Sequence, residues 1–316
     1  MIQHPHPSPG GSQEEAGMQS AALKRAVLEF VRHASTEISI HDERLLPELA
    51  GLLPRGMALY VAHTPKSSIE EVVRVAVKVQ AMGFTASPHI VARRLPSERV
   101  LKSALGTLRA EGVRQVLLVA GDLDPPAGPF TSTLEVMDTG LLADAGLRRI
   151  GVAGHPEGHP AIRPEVQLSA LRYKQDFAVR AGIALHIVTQ FGFDPRAVCT
   201  WERHLAAEGI ELPVHVGIAG PTPLAKLMKF ALQCGIGGSM HSLVKHKSTV
   251  AHLIHGAGPD EVLLGLLRGR SACNGSRLAQ PHFYAFGGAL ATARWLQAVM
   301  DGRFDLQRDN RNFTVA

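Results

Sequence analysis

Residues 115–122 read QVLLVAGD, a short apolar run that ends in a Gly-Asp turn. The chain repeats this pattern, in which a β-rich run and a turn signal precede an amphipathic stretch. Eight candidate strands are STEISI near residue 35, ALYVAH near 58, TASPHIV near 85, QVLLVAG near 115, RIGVAG near 149, LHIVTQF near 185, VHVGIAG near 214 and HFYAF near 282. Strands that alternate with helices pair in parallel through right-handed crossovers. The sequence therefore predicts an α/β fold. Eight such units favour a closed (β/α)8 TIM barrel over the alternative, an open doubly wound sheet.

The ends of the barrel carry additional segments. Residues 1–11 are rich in Pro, Gly and His and predict a disordered tail, which leaves residues 12–316 as a single TIM-barrel catalytic domain. Ser12 and Glu15 have capping-box spacing, which predicts an extra N-terminal helix. The interval before the eighth strand is long, and its VAHLIHG and DEVLLGLLRG pieces predict extra helices in an extended segment.

Composition limits the class of protein. The 316 residues are 45% hydrophobic and 19% charged, which excludes a mainly disordered or fibrous chain. The net charge is +5, but the Lys and Arg residues are scattered, so we expect no nucleic-acid partner and only a weak preference for anions. No apolar run approaches the roughly 18 residues of a membrane span. Three cysteines without a CxxC motif indicate a reducing cytoplasm. Whether the protein is a homo-oligomer stays open.

Motifs of several enzyme classes are missing from the sequence. It has no GxGxxG, no GxxxxGK[ST] and no GxSxG, which argues against a Rossmann site, a P-loop and hydrolysis through a covalent nucleophile. The HPEGHP segment at 155–160 invites a metal interpretation. Its prolines and glycine exclude the regular helix on which an HExxH motif places its ligands.

Polar residues follow the predicted strands, where TIM barrels carry their functional groups. The residues at these strand ends are His63, Thr64, His89, Gly121, Asp122, His155, Glu157, His159, Gln190, Gly220, Pro221, Thr222 and Tyr284. Glu37 interrupts the first strand, and burial there would raise its pKa and suit it to proton transfer. Each position also has a structural interpretation. Asp122 could be a turn former or helix cap, Gln190 a backbone-bonded amide, and Glu37 an outward-facing strand residue.

Together these segments resemble the methylenetetrahydrofolate reductase family of flavin-dependent TIM-barrel enzymes. The resemblance runs from about residue 35 to 232 and rests on segments in the family's order: STEIS, SPHI, VAGD, HPEGHP, LSALRYK, IVTQFGFD and the GI…P…KFA segment, with HFYAF similar to the eighth strand. The chain also departs from the family. Ala120 stands where the family often has Arg before its Gly-Asp pair, and His155 replaces an aromatic residue. Gly287 and Gly288 follow HFYAF where Asn-Arg is usual.

The resemblance implies a noncovalent FAD in the barrel mouth and tetrahydrofolate derivatives as substrates, with hydride transfer through flavin N5 between 5,10-methylenetetrahydrofolate and 5-methyltetrahydrofolate. Glu37 would be the catalytic acid, and Asp122 the carboxylate near flavin and pterin. Gln190, Leu224 and Tyr284 would bind substrate. The implied FAD contacts are His63, His89, Gly121, Asp122, His155, His159, Gln167 and Lys174. NAD(P)H is a possible electron donor, although the departures affect its site more than that of FAD.

The sequence also allows two other hypotheses about function. One is a metal-dependent TIM-barrel hydrolase, whose ligands would be His89, Asp122, His155 and His159. The other is a folate-binding barrel that has lost redox activity, motivated by the altered C-terminal positions.

Overall fold

A computed structural model describes residues 10–223, 226, 227, 230 and 259–315 of the chain. The strands are β1 (Ser35–Ser39), β2 (Ala58–Ala62), β3 (Thr85–Val91), β4 (Gln115–Val119), β5 (Arg149–Gly154), β6 (Ala184–Thr189), β7 (Val214–Ala219), β8 (Leu278–Tyr284), β9 (Phe304–Leu306) and β10 (Phe313–Val315). The α-helices are α1 (Gly10–Val31), α2 (Leu46–Leu52), α3 (Ile69–Ala81), α4 (Glu98–Ala110), α5 (Thr133–Asp138), α6 (Leu141–Asp144), α7 (Pro164–Ala181), α8 (Pro195–Ala207), α9 (Asp260–Ser271) and α10 (Ala289–Met300). Short 3₁₀ helices cover Ile40–Leu45 and Ala92–Arg94.

The eight parallel strands form a closed barrel in sequence order. Closure is made by β1 and β8, which pair Ser35 with His282 and Thr36 with Phe283. The Thr36 hydroxyl adds a hydrogen bond of 2.9 Å to the carbonyl of Phe283 across this seam. The prediction of a TIM barrel is therefore confirmed, and the open doubly wound sheet is wrong.

Local sequence signals explain where the helices begin and which face they bury. Before α3, the Ser68 hydroxyl accepts from the backbone N–H of Glu71, and the Glu71 carboxylate accepts from the backbone N–H of Ser68. This reciprocal capping box satisfies two N–H groups that the first turn leaves without partners. Val72, Val75 and Val79 then fall on one face and are fully buried. The outer core lies between such faces and the barrel strands.

The additional segments agree with the sequence in part. The N-terminal helix α1 begins at Gly10, so Ser12 lies inside the helix and is not its N-cap. DEVLLGLLRG forms α9, as predicted, and α9 packs against α8. VAHLIHG lies outside the described residues, as do residues 1–9 of the predicted tail. The C-terminal β9–β10 hairpin was not predicted from the sequence. No helix within the described ranges is long and apolar enough to cross a membrane.

The barrel interior is polar near its N-terminal end, whereas such interiors are mainly filled by branched apolar residues. The Tyr60 hydroxyl lies 2.9 Å from Nε2 of His186, and the His186 ring stacks on His215 with centroids 4.0 Å apart. His282 Nδ1 lies 2.8 Å from the Ser35 hydroxyl. Burial, the largest cause, keeps the pKa of each of these histidines well below its usual value. All three imidazoles are therefore neutral at physiological pH.

Because these buried histidines are neutral in the folded protein, we expect the stability of the barrel to fall in acid. Burial lowers the pKa of His215 from 6.5 to about 3. Between these values the unfolded chain binds a proton that the folded chain excludes, so the free energy of unfolding falls as pH drops below 6.5. The loss is about 2 kcal/mol for this residue at pH 5. Thermal melts followed by circular dichroism should show a lower Tm at pH 5 than at pH 7.

The substitution His215→Gln should reduce that difference in Tm, whereas the same change at exposed His33 should leave it intact. Equal pH dependence in wild type and His215→Gln would contradict the assignment.

Candidate functional site

Glu37 lies on the inner face of β1. Side chains alternate across a strand, and Ser35, two residues earlier, binds His282 inside the barrel. The neighbouring Ile38 belongs to the outer core, so the outward orientation of Glu37 does not fit the structure. Burial, and secondly the charge of Asp42, raises the pKa of Glu37 to about 8. The carboxyl is therefore mainly protonated at neutral pH and can donate a proton at the barrel mouth.

Asp42 is fixed close to this acid by the first loop. In the 3₁₀ helix after β1, its carboxylate accepts from the backbone N–H of Ser39 at 2.9 Å and from the Ser39 hydroxyl at 2.8 Å. A carboxylate held in this way keeps a negative charge near Glu37, which disfavours ionisation of the second acid.

The loop after β4 carries Gly121 and Asp122. Gly121 has φ of +85°, and a Cβ there would lie 2.4 Å from Cγ1 of Val91, so only glycine fits. The side chain of Asp122 is 87% exposed, and its Oδ1 accepts from a terminal nitrogen of Arg94 at 3.2 Å. Within the described part of the chain no backbone N–H donates to this carboxylate, so a helix-cap role does not describe it.

His63 and His89 line the same side of the mouth. His63 Nε2 lies 3.1 Å from the carbonyl of Ser67, which leaves its buried Nδ1 without a partner among the described residues. The ring of His89 stands edge-on to Tyr60, and its Nε2 also has no partner there. Burial lowers the pKa of both residues, that of His89 to about 3. Two neutral imidazoles with spare hydrogen-bonding atoms therefore face this side of the mouth.

A second group of candidates lies after β5 and on α7. HPEGHP turns at Gly158, whose φ is +83°, and this turn brings the rings of His155 and His159 to 4.9 Å, edge to face. Burial, then His159 and Lys174, lowers the pKa of His155 to about 4. The side-chain amide of Gln167 donates to the carbonyl of Ile162 at 2.8 Å and so braces this loop.

Lys174 is the least expected member of this group. It is 7% exposed, and burial lowers its pKa to about 8. No carboxylate of the described residues lies within 4.0 Å of its amine, in contrast to the paired lysine and arginine residues on the helices. A nearly buried ammonium without a counterion is costly, and an anionic ligand would relieve that cost.

The third group surrounds Gln190 and Tyr284. Gln190 Oε1 accepts from the N–H of Phe191 at 3.1 Å, which is the structural contact that the sequence left open, but its amide nitrogen stays available for a ligand. The Tyr284 hydroxyl donates to the carbonyl of Thr189 at 2.9 Å. Gly217 allows this approach, because a Cβ there would lie 2.4 Å from the same carbonyl. Leu224, the other predicted substrate residue, lies outside the described residues.

Sequence reasoning missed an aromatic cluster beside Gln190. Phe286 contacts Phe191 at 4.8 Å between centroids and stacks on Phe230 at 4.6 Å and on Tyr284 at 5.9 Å. Its φ of +46° is unusual for a non-glycine residue and turns the ring towards the cluster. The aromatic residues of HFYAF were visible in the sequence, but only the fold shows that they meet Phe191.

The described residues hold no group of three His, Cys, Asp or Glu side chains close enough to bind a metal ion. The metal-hydrolase hypothesis takes its ligands from different strands. His89 lies on β3 and Asp122 follows β4, whereas His155 and His159 follow β5. Their arrangement therefore does not favour that hypothesis.

Comparisons with known proteins give one family. The profile of the methylenetetrahydrofolate reductase family matches residues 60–240. A 5,10-methylenetetrahydrofolate reductase from Pectobacterium carotovorum subsp. carotovorum is 28% identical over 156 residues, which are 49% of this chain and 50% of that protein. The chain thus spans about half the length of this curated relative. Among solved structures, dihydropteroate synthase (FolP) from Thermus thermophilus is 16% identical with a TM-score of 0.43, and the match covers 83% of this chain and 91% of that chain.

Melting temperatures can show whether the Lys174 ammonium lacks a counterion and binds anions, even though the ligand is not identified. A pKa lowered from 10.5 to about 8 corresponds to roughly 3 kcal/mol of lost stability at pH 7. The variant Lys174→Met should therefore have a higher Tm than the wild type. Inorganic pyrophosphate should raise the Tm of the wild type, since an anion pairs with the ammonium, and should not raise that of the variant.

Lys102→Met, a change at an exposed lysine of α4, is the matched control and should behave as the wild type in both measurements. A lower Tm for Lys174→Met together with unchanged stabilisation by pyrophosphate would contradict an anion site.

Proposed function

The chain belongs to the methylenetetrahydrofolate reductase family, and from this premise we propose that it is a flavin-dependent oxidoreductase that interconverts 5,10-methylenetetrahydrofolate and 5-methyltetrahydrofolate. The observation that carries the proposal is the Glu37 carboxyl, which is enclosed in the barrel mouth and has its pKa raised to about 8. This reaction needs an acid that is protonated near neutral pH.

Glu37 supplies that proton. Its transfer to a nitrogen of the methylenetetrahydrofolate ring opens the bridge between the two nitrogens and leaves the one-carbon unit as a reactive iminium. In the opposite direction the Glu37 carboxylate takes the proton back. Burial, and secondly the charge of the nearby Asp42, raises the pKa of Glu37 to about 8, so the acid form predominates at neutral pH.

The residues at the mouth fit FAD. Lys174 offers an ammonium without a counterion, and His155 and His159 lie beside it, which suits the cofactor's phosphates. Gly121 leaves room for Val91 in the turn after β4, and its backbone would contact the cofactor. The spare nitrogens of His63 and His89 supply hydrogen bonds for a heterocycle. Hydride transfer through N5 is the chemistry that bound FAD contributes.

The third group would hold the folate. The free amide nitrogen of Gln190 can bond a pterin edge. Tyr284 and the aromatic cluster around Phe286 offer ring faces for stacking. The exposed Asp122 carboxylate would contact both pterin and flavin. Leu224 is proposed as a substrate contact on the basis of the family resemblance alone. The basic balance of the chain suits the phosphates of FAD and the carboxylates of folate.

The electron partner is proposed to be NADH, NADPH or 5-methyltetrahydrofolate, and we place the reaction in the cytoplasm.

A spectrum of the purified protein tests the cofactor directly. We expect flavin absorbance in the visible range, before or after reconstitution with FAD. Anaerobic addition of 5-methyltetrahydrofolate, NADH or NADPH should bleach it, and a comparison of the three donors identifies the electron partner. A protein that stays colourless with excess FAD would refute the proposal. Folate binding without bleaching by any donor would instead support a redox-inactive barrel.

Glu37→Gln tests the acid. The amide keeps the shape of the side chain but has no acidic proton, so turnover of methylenetetrahydrofolate should fall by about 100-fold or more while FAD stays bound. In the wild type, kcat for this direction should decline as pH rises through about 8, because Glu37 loses its proton there. Stopped-flow oxidation of the reduced flavin by methylenetetrahydrofolate measures both effects.

Glu43→Gln, which removes a partly exposed carboxylate paired with Arg74, is the control and should leave turnover and pH profile unchanged. Retention of wild-type turnover by Glu37→Gln would remove its acid role.

A further inference from the structure

Arg94 and Asp122 form an ion pair whose two side chains differ strongly in exposure. The Arg94 side chain is 14% exposed and that of Asp122 is 87% exposed, with 3.2 Å between the terminal nitrogen and Oδ1. The neighbouring pair Arg93–Asp124 has the same asymmetry, with 24% and 84% exposure, whereas Arg294 and Glu48 on the outer helices are both partly exposed. In the Arg94–Asp122 pair the cation is enclosed and the anion reaches outward, so the pair is more than a contact between two solvated side chains.

The backbone holds Arg94 in this position. After β3 the chain enters the 3₁₀ helix of which Arg94 is the last residue, and Arg93 binds this turn to the loop after β4. The N–H of Arg93 donates to the carbonyl of Ala120 at 2.9 Å, and its Nε donates to that of Leu123 at 2.7 Å. These contacts bracket Gly121 and Asp122. The ends of β3 and β4 are thereby locked together, and the Arg94 guanidinium has a fixed starting point beside Asp122.

The burial of Arg94 also limits its mobility. Of its five N–H donors, only one has a protein acceptor among the described residues. The Asp122 carboxylate, by contrast, has Arg94 as its one described anchor, and without it the exposed side chain would sample several rotamers.

We propose that Arg94 is a positioning residue that orients the Asp122 carboxylate towards the substrate and cofactor and offsets its negative charge. The proposal rests on the function proposed above. Reduction adds electrons to the flavin, and an uncompensated carboxylate beside it opposes this. With Arg94 in place, the bound flavin is easier to reduce, and Asp122 keeps the orientation that folate requires.

A double-substitution cycle tests this proposal on the FAD-loaded protein. The variants are Arg94→Gln, Arg94→Lys, Asp122→Asn and the Arg94→Gln/Asp122→Asn pair, and the readouts are the flavin reduction potential and kcat against KM for methylenetetrahydrofolate. We expect Arg94→Gln to shift the potential to a more negative value and to lower kcat about three- to tenfold, a range typical of coupled neighbours. Arg94→Lys should recover most of the potential because it keeps the charge. In the Asp122→Asn background, Arg94→Gln should have little further effect on kcat, because there is no carboxylate left to orient, whereas its direct charge effect on the potential persists.

Arg172→Gln, which breaks the pair between Arg172 on α7 and Glu208 at the C-cap of α8, is the matched control and should change neither readout. FAD occupancy is measured first by absorbance. A wild type that stays without FAD after reconstitution refutes the proposed function itself. If FAD binds, two results overturn the positioning role alone. One is wild-type potential and kcat in Arg94→Gln, and the other is an equally large effect of Arg94→Gln on kcat in the presence and absence of the Asp122 carboxylate. Melting curves show whether each variant is folded, and Arg94→Lys keeps the test valid if Arg94→Gln is not.

Discussion

Closure of the barrel between β1 and β8 is the constraint on which the candidate site depends. Parallel strands leave unpaired backbone groups at each open edge, and a closed ring of eight pairs removes both edges. The register Ser35 to His282 fixes this closure, and a side-chain hydrogen bond joins the same two residues. Glu37 and Tyr284, which lie near opposite ends of the sequence, therefore reach the same mouth. Without closure the proposed acid and the aromatic cluster would belong to opposite edges of a sheet.

One physical effect sets most of the electrostatics of this mouth. Burial disfavours the charged form of every group, so it raises the pKa of Glu37 and lowers those of His89, His155 and Lys174. The site thus holds a protonated acid and neutral imidazoles, with one poorly solvated ammonium, at the same pH. Such a set is costly for the protein alone. A ligand that brings phosphates and a hydrogen-bonding heterocycle would satisfy these groups, and this cost is the reason we connect them with binding.

The sequence predicted the parts of the fold that depend on local patterns. All eight barrel strands form where apolar runs indicated them, and the strand-end rule placed Asp122, His155 and Gln190 at the mouth. Contacts between distant segments could not be predicted in this way. The pairing of Arg94 with Asp122 depends on how the ends of β3 and β4 are joined, and the meeting of Phe286 with Phe191 depends on an unusual backbone angle. The unpaired state of Lys174 is visible only when its surroundings are known.

The closed barrel brings residues outside the range that matches the family profile next to residues inside it. The matched range, 60–240, contains most of β2 and all of β3 to β7, with Asp122, Lys174 and Gln190, but it excludes Glu37 on β1 and Tyr284 on β8. The proposed acid therefore lies on a strand outside the matched range. The barrel supplies the missing link, because β1 pairs with β2 at Glu37 and Tyr60, and β8 pairs with β7 at Tyr284 and Ala219. Closure of the ring places β1 beside these matched strands, and because residue 37 of this chain is Glu, its carboxyl lies at the mouth that they form.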